Sequence, residues 1–378
     1  MDIDLSEEQE MLRKMARDFL ADKCPGTLVR EMMEDERGYP PELWREIADL
    51  GWLGLVFPSD YGGEDFNFLE LAILLEEMGR VSFPGPFFST VVLGGLPILH
   101  MGTDEQKKEF LPKLCRGDLL ATLALTEADA SFDPSAVTLK AIPDNDSFIL
   151  SGSKLFVPDA HIADLLICVA RTSPAGEPDQ GITVFLVNGK SPGLERNLLT
   201  TVDGSKQCEV IFKEARVSKN AVLGEADAGW EAIERILALA AVAKCAEMLG
   251  GAQRVLDMAI QYSKERQQFG RFIGTFQAIQ HHCANMATDV DGMRLTTYQA
   301  AWMLSESLPC KKEVSMAKAW ASDAFKRVTF LGLRVHGGVG FMEDHDVSIF
   351  YRKARTDEFS FGDADFHRNI VSHELQIR

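Results

Sequence analysis

Glu247 lies in AKCAEMLGG, a helical stretch of mostly small and apolar residues. A carboxylate among Ala, Cys, Met and Leu is desolvated, which raises its pKa and strengthens it as a general base. Lys244, three residues earlier, offers a different account, a plain i,i+3 ion pair. Contact with a bound apolar group is a third. A second group follows at Arg266–Gln277: Arg266, Phe269, Gly270, Ile273 and Gln277, placed where one long helix closes and the next opens. Taken alone, Arg266 reads as a solvated cation at a helix end. A third group is HGGVGF, His336 to Phe341. Its glycines permit close backbone approach. No strand precedes them in a βαβ context, so a dinucleotide fingerprint fails its structural test. His281 and His282 are adjacent and point to different helix faces. The seven cysteines are scattered with no CxxC pair, so no metal site is expected and the thiols read as reduced and mostly buried, as in a cytoplasmic protein.

The elements that must position these groups change in texture along the chain. Residues 1–120 read as helices. Ser6 with Gln9 makes a capping box ahead of an amphipathic run through Leu20, and Pro40-Pro41 opens a helix through Leu50. Phe68 to Met78 has helical period, and Thr103 with Gln106 caps a charged helix ending near Leu114. Phe83 to Phe88 is an apolar loop that closes a core or walls a pocket. Residues 121–226 carry short alternating runs (ATLALT, SFILSG, LLICVAR, GITVFLV, CEVIFKEARV) separated by turn signals. They predict a small antiparallel β domain, barrel or sandwich. From 227 to 378 long stretches return, Trp230–Glu265, Thr275–Leu308 and Lys311–His336, and predict a helical bundle whose wide apolar coverage buries it against several neighbours, another subunit included. The fold class is α+β.

Composition excludes several functions. The 378 residues are 46% hydrophobic and 25% charged, ordinary for a protein with a large core. A net charge of −18 argues against nucleic acid, which needs clustered Lys and Arg, and against an anionic membrane surface. No apolar run approaches the ~20 residues of a transmembrane helix. The acidic start MDIDLSEEQE is neither a secretory nor a mitochondrial signal, and a cytoplasmic location is expected.

Four motifs in order resemble those of the acyl-CoA dehydrogenase family: Leu125-Thr126-Glu127 to Asp133, Gly152 to Ala160, Arg266 to Gln277, and HGGVGF. The resemblance runs from about residue 4 to residue 374. It implies an N-terminal helical domain, a middle β domain and a C-terminal four-helix bundle, with FAD between the last two and a neighbouring subunit completing the site. It implies that Thr126 and the strand at Phe156-Val157 face the flavin ring. It further implies that Arg266, Phe269 and Gln277 reach the FAD of a neighbouring subunit, and that Gly337, Gly338 and Gly340 pack beside its phosphates. An arginine is suited to that task because its guanidinium is a planar fork. The implied reaction removes an α-proton from an acyl-CoA with a carboxylate while the β-hydrogen leaves as hydride. Electrons then pass to an electron-transferring flavoprotein.

The chain departs from that pattern at several positions. The usual base, a Glu before Gly, is Phe361 here, and the alternative position on the first bundle helix is Ala240. Glu247, seven residues after Ala240, is then the candidate base, with Asp363 and Asp365 behind it. Ser131-Phe132 replaces a Gly-Ser, Phe156 replaces a Trp, and Pro158 replaces a hydroxyl residue and lacks an N–H. Arg334 stands where a Gln is usual, as a phosphate or subunit contact. Two readings stay open: an active FAD-dependent dehydrogenase, as homotetramer or heterotetramer, or a non-catalytic partner subunit completing another chain's FAD site. Oxygen-using flavin chemistry is a third. Val91 to Leu96, aligned with the pocket-lining helix, is small and apolar, which suits a branched, cyclic or medium-length acyl group.

Overall fold

The computed structural model describes residues 5–174 and 176–377. The N-terminal helices are α1 (Glu7–Lys23), α2 (Gly26–Glu34), α3 (Pro41–Asp49), α4 (Phe68–Arg80), α5 (Leu96–Met101) and α6 (Asp104–Cys115). Strands β1 (Ala121–Ala124), β2 (Lys140–Asp144), β3 (Ser147–Pro158), β4 (Leu165–Arg171), β5 (Ile182–Asn188), β6 (Leu194–Leu199), β7 (Gln207–Ser218) and β8 (Val222–Leu223) follow. The chain then returns to helix in α7 (Trp230–Glu265). A hairpin of β9 (Gln267–Gln268) and β10 (Arg271–Phe272) precedes α8 (Gln277–Ser305), α9 (Lys311–His336), α10 (Asp346–Asp357) and α11 (Ala364–Glu374).

These elements form two compact units that do not follow chain order, and α7 divides between them after Ala240. The first unit gathers α1, most of α2, α4, the rest of α7, and α8 to α11. Helix α4 meets α7 through glycines. A methyl group at Gly79 would overlap the backbone of Glu247, and one at Gly250 the carbonyl of Glu76. Glycine alone lets two helix backbones come this close. Buried Glu76 accepts from Arg294 at 2.6 Å and from the Tyr298 hydroxyl at 2.5 Å. Buried Glu77 accepts two bonds from the Arg17 fork, at 2.9 and 2.6 Å. Buried charges of this kind are tolerated because they are paired and hydrogen-bonded. Helix α9 buries a small-residue stripe (Ala317, Ala321, Ala324, Val328) and packs against α8, α10 and α11.

The second unit holds α3, α5, α6 and the sheet. Its strand order is β6-β7-β3-β2-β4-β5-β8, with β1 beside β4. Most pairings are antiparallel, but β1 and β2 each pair β4 in parallel, so the sheet is mixed. Its inner face buries Leu150, Val157, Phe185, Val210 and Phe212. Phe88–Gly95 is a π-helical segment leading into α5, and its Gly94 lies so close to Ala121 of β1 that a Cβ would not fit. No helix among the described residues is long and apolar enough to cross a membrane.

Candidate functional site

In the second unit, Thr126 sits just past β1, and its carbonyl accepts from the Leu155 N–H at 2.8 Å. The neighbouring Glu127 and Lys154 explain that placement. Lys154 is fully buried and donates to Glu127 at 2.7 Å and to the Leu125 carbonyl at 2.8 Å. Glu127 also accepts from the backbone N–H groups of Thr138 and Leu139, each at 3.0 Å, and from the Thr138 hydroxyl. Desolvation alone would raise the Glu127 carboxyl, but the Lys154 charge and these bonds hold it below the usual carboxylate range. The pair ties β3 to the end of β1. The β3–β7 register then slips between Lys154 and Val157. At that irregularity Phe156 takes a left-handed φ of 56°, and the residue is 47% exposed. Val157 turns back into the core. Of the two, Phe156 presents an aromatic face, while Val157 can approach a ligand only through its backbone.

In the first unit the Arg266–Gln277 motif is a hairpin. Phe269 (φ 55°) and Gly270 (φ 77°) form its two-residue turn, and the Ile273 N–H donates to the Arg266 carbonyl at 2.9 Å. Two left-handed residues are what a tight hairpin turn requires, though an aromatic seldom fills one. Phe269 is 91% exposed, while Arg271 stacks its guanidinium over Phe276, 4.0 Å from the ring centre. Arg266 and Gln277 are exposed as well. Tyr262, one turn before Arg266, stacks on His336 with ring centres 4.6 Å apart. That contact, which the sequence did not signal, brings the hairpin and the glycine motif to one end of the bundle. His336 continues into His345, 4.9 Å between ring centres, beside an open cavity of about 580 Å³ that Tyr262, Glu265 and His336 also line. A Cβ at Gly270, Gly337 or Gly338 would meet nothing within 4 Å, so these backbones are open to close approach. Gly340 is different: its Cβ would press on His336 and Leu333, and helix packing accounts for it. Arg334 is exposed, 5.9 Å from the Phe330 ring centre. Among the described residues no group of three or more His, Cys, Asp or Glu is placed to hold a metal, and none of the seven cysteines is in a disulfide.

The acyl-CoA dehydrogenase N-terminal, middle and C-terminal domain models match residues 6–118, 122–215 and 227–376. The chain is 33% identical to an acyl-CoA dehydrogenase of Bacillus subtilis, covering 98% of each. It is 31% identical to the caffeyl-CoA reductase-Etf complex subunit CarC of Acetobacterium woodii, again covering 98% of each. Its fold superimposes on butyryl-CoA dehydrogenase from Megasphaera elsdenii with a TM-score of 0.93, 29% identity and full coverage of both chains. The chain belongs to the acyl-CoA dehydrogenase family. It is an oxidoreductase acting on the CH–CH group of acyl-CoA.

Within this acyl-CoA dehydrogenase, the candidate carboxylate and the base position occupy the first unit. The Lys244 ammonium lies 2.5 Å from Glu247 Oε2 and 3.5 Å from Asp357 Oδ1. Desolvation would lower Lys244, but the two carboxylates raise it above its ordinary value. Glu247 is thus engaged at the junction of α7 and α10. Phe361 is half-buried in the loop between α10 and α11, in a left-handed conformation with φ 59°. Its carbonyl accepts from His367 Nε2 at 2.9 Å. Asp363 accepts from the Phe366 N–H at 2.8 Å as the N-cap of α11, which accounts for it structurally, and Asp365 pairs with Arg368. Lys318, unremarked in the sequence, is wholly buried beneath this loop. A lysine on the alanine-rich buried stripe of α9 was the signal for it.

Proposed function

We propose that this chain is an FAD-dependent enzyme that interconverts an acyl-CoA and its α,β-unsaturated counterpart, exchanging electrons with an electron-transferring flavoprotein. The observation that carries the reading is the open end of the bundle. There an exposed aromatic hairpin, the Arg266 cation and the uncovered backbones of Gly337 and Gly338 converge through the Tyr262–His336 stack. This arrangement suits a flat, phosphate-bearing group: a fork for the phosphates, glycines for close approach and an aromatic surface. Bound FAD would supply the hydride-accepting chemistry. This chain's residues would hold it, Thr126 and Phe156 at the ring of one FAD and Arg266, Phe269 and Gln277 on the FAD of a neighbouring copy, with Arg334 as a phosphate or subunit contact. Exposure of Phe269 and Gln277 supports a cofactor shared between copies in a tetramer. Pro158 offers no hydrogen-bond donor at the ring, so the flavin potential should differ from that of relatives with a hydroxyl there.

The similarity to the caffeyl-CoA reductase-Etf complex subunit CarC of Acetobacterium woodii supports both the thioester and the electron partner. Of the three roles open to Glu247, the geometry supports the ion pair with Lys244. The decisive experiment is the visible spectrum of the chain purified alone, before and after addition of a panel of acyl-CoA and enoyl-CoA thioesters. A flavin spectrum that bleaches with a saturated thioester, or re-oxidises with an unsaturated one, is the expected result. A colourless protein that acquires flavin only with a related chain would overturn it in favour of a partner subunit.

A further inference from the structure

The cavity of about 580 Å³ beside the Tyr262–His336 stack has walls that the flavin reading does not use. One wall is a stripe of α7: Arg254, Asp257, Met258, Gln261, Tyr262 and Glu265, spaced by three and one so that they share a helix face. The other is His336 with Asp344, His345 and Asp346, where α9 connects to α10. Several of these groups are already engaged. Asp257 accepts from Arg80 at 2.8 Å and from Gln253 at 2.9 Å, and Asp346 accepts from Arg30 at 2.7 Å. His345 Nδ1 accepts from the Val347 N–H at 3.3 Å as the N-cap of α10. What remains is uneven. Asp344 is exposed and has no partner among the described residues, and Glu265 meets only the Gln261 amide. Arg254, the cation left over, stands at the far end, about 16 Å from Glu265 along the helix.

His336 decides what the acidic end requires. It is 5% exposed, and that small exposed part belongs to the cavity wall. Its Nδ1 must donate, because the partner at 2.8 Å is the Gly332 carbonyl. Burial lowers the basicity of this imidazole and favours the neutral ring, in which Nε2 keeps a lone pair. Nε2 has no partner among the described residues, and it is absent from the unpartnered atoms that are sealed from outside. An acceptor held in a nearly buried ring and left unmade costs free energy, so the position calls for an N–H donor. Asp344 and Glu265 add two more acceptors, so acceptors outnumber donors at this end. Tyr262 and His345 add aromatic faces and Met258 an apolar surface, which suit a cation and its stem. The neighbouring hairpin and glycines have the opposite character: Arg266 and open backbone suit an anion. The cavity is therefore a separate seat from that of the phosphates.

We infer that this cavity binds a small organic cation, an ammonium or guanidinium on an apolar stem, with His336 Nε2, Asp344 and Glu265 as its acceptors. The net charge of −18 draws cations toward the whole surface, so site and general field must be separated. The experiment is isothermal titration of the purified holoenzyme with agmatine, butylamine and the neutral analogue butanol. It compares wild type with Asp344→Asn, His336→Phe and Glu8→Gln, the last an exposed carboxylate in the first turn of α1. Agmatine is expected to saturate one site per chain, and butanol to give no signal. Asp344→Asn should weaken agmatine about fivefold. His336→Phe keeps a ring to stack on Tyr262 but loses the acceptor, and should weaken it about tenfold. Glu8→Gln should change nothing. Uptake that never saturates and vanishes with added salt, or equal weakening by Glu8→Gln and Asp344→Asn, means the acidic surface alone and overturns the inference. An affinity untouched by both cavity variants, or matched by butanol, overturns it too. Should His336→Phe fail to fold, Glu265→Gln takes its place beside Asp344→Asn. N-acetylargininamide, titrated in parallel, separates the two sources of such a cation. Tighter binding than agmatine assigns the site to an arginine side chain of a protein, and weaker binding to a free amine; either keeps the class of ligand. Binding is read as heat, so its failure leaves the flavin reading untouched.

Discussion

At the scale of single residues, the question is what a carboxylate does when its neighbour is a lysine. Glu247 stands among Ala, Cys, Met and Leu, apolar surroundings for a carboxylate. The structure adds the Lys244 ammonium at 2.5 Å, with both side chains nearly buried and Asp357 on the far side. An ammonium held above its ordinary value keeps its proton, and the lysine's own contribution to stability is fully present below about 10.4, the ordinary lysine value. That contribution is lost as pH rises through the folded value, so pH 6 to 9 leaves the Lys244 ammonium charged. Glu247→Gln should therefore lower stability to urea by about 1–3 kcal/mol, because Lys244 loses one of its two carboxylates. The same variant should spare flavin reduction, measured by anaerobic rapid mixing with a good substrate. Removal of a true general base slows that step by about 10²–10⁴. A loss of that size with unchanged stability would make Glu247 the base after all.

At the scale of elements, two kinds of glycine behave differently. Gly79 and Gly250 are where α4 and α7 touch backbone to backbone. Alanine at either must force the helices apart, costing about 1–3 kcal/mol or more of unfolding free energy. Gly338 faces open space at the bundle end, so Gly338→Val should leave the melting temperature near wild type and instead weaken flavin retention, read from the absorbance ratio after gel filtration. Equal destabilisation by all three substitutions would contradict this division. The sequence marks Gly338 as part of HGGVGF but gives no sign of Gly79 or Gly250, whose role depends on a helix distant in the chain. What the sequence did convey was local. The capping boxes at Ser6/Gln9 and Thr103/Gln106 appear as expected, and α7 and α9 have the bounds that periodicity gives. The strand β6, LERNLL, escaped because its outward residues are mostly polar or exposed and its pairing with β7 supplies the order. The parallel pairing of β1 with β4 escaped because strand partnership is tertiary. The candidate site was legible as far as motif positions. The Lys154–Glu127 pin, the Tyr262–His336 stack and the Lys318 clamp join residues 27 to 74 positions apart or bind backbone carbonyls, and no local pattern encodes either.

At the scale of the whole molecule, a net charge of −18 makes acidification a mixed influence. Protonating surface carboxylates relieves self-repulsion, while buried groups that resist protonation oppose folding. His367 belongs to the second kind. It is 4% exposed, and burial with the nearby Lys318 charge pushes its imidazole down to about 4. His336, 5% exposed beneath Tyr262, is lowered in the same direction, chiefly by burial. Between about 4 and the ordinary histidine value near 6.5, the unfolded chain carries a proton at residue 367 that the folded chain does not. Stability therefore rises with pH across that window and is lost as pH falls toward 4. His367→Gln removes the titration while keeping a side-chain N–H able to reach the Phe361 carbonyl. Melting temperatures taken from pH 4 to 8 should fall less steeply toward acid in His367→Gln than in wild type, with the two curves closest above pH 7. Parallel curves throughout would mean that the acid response comes from the carboxylates, and that the ring at 367 is not held neutral by the loop it anchors.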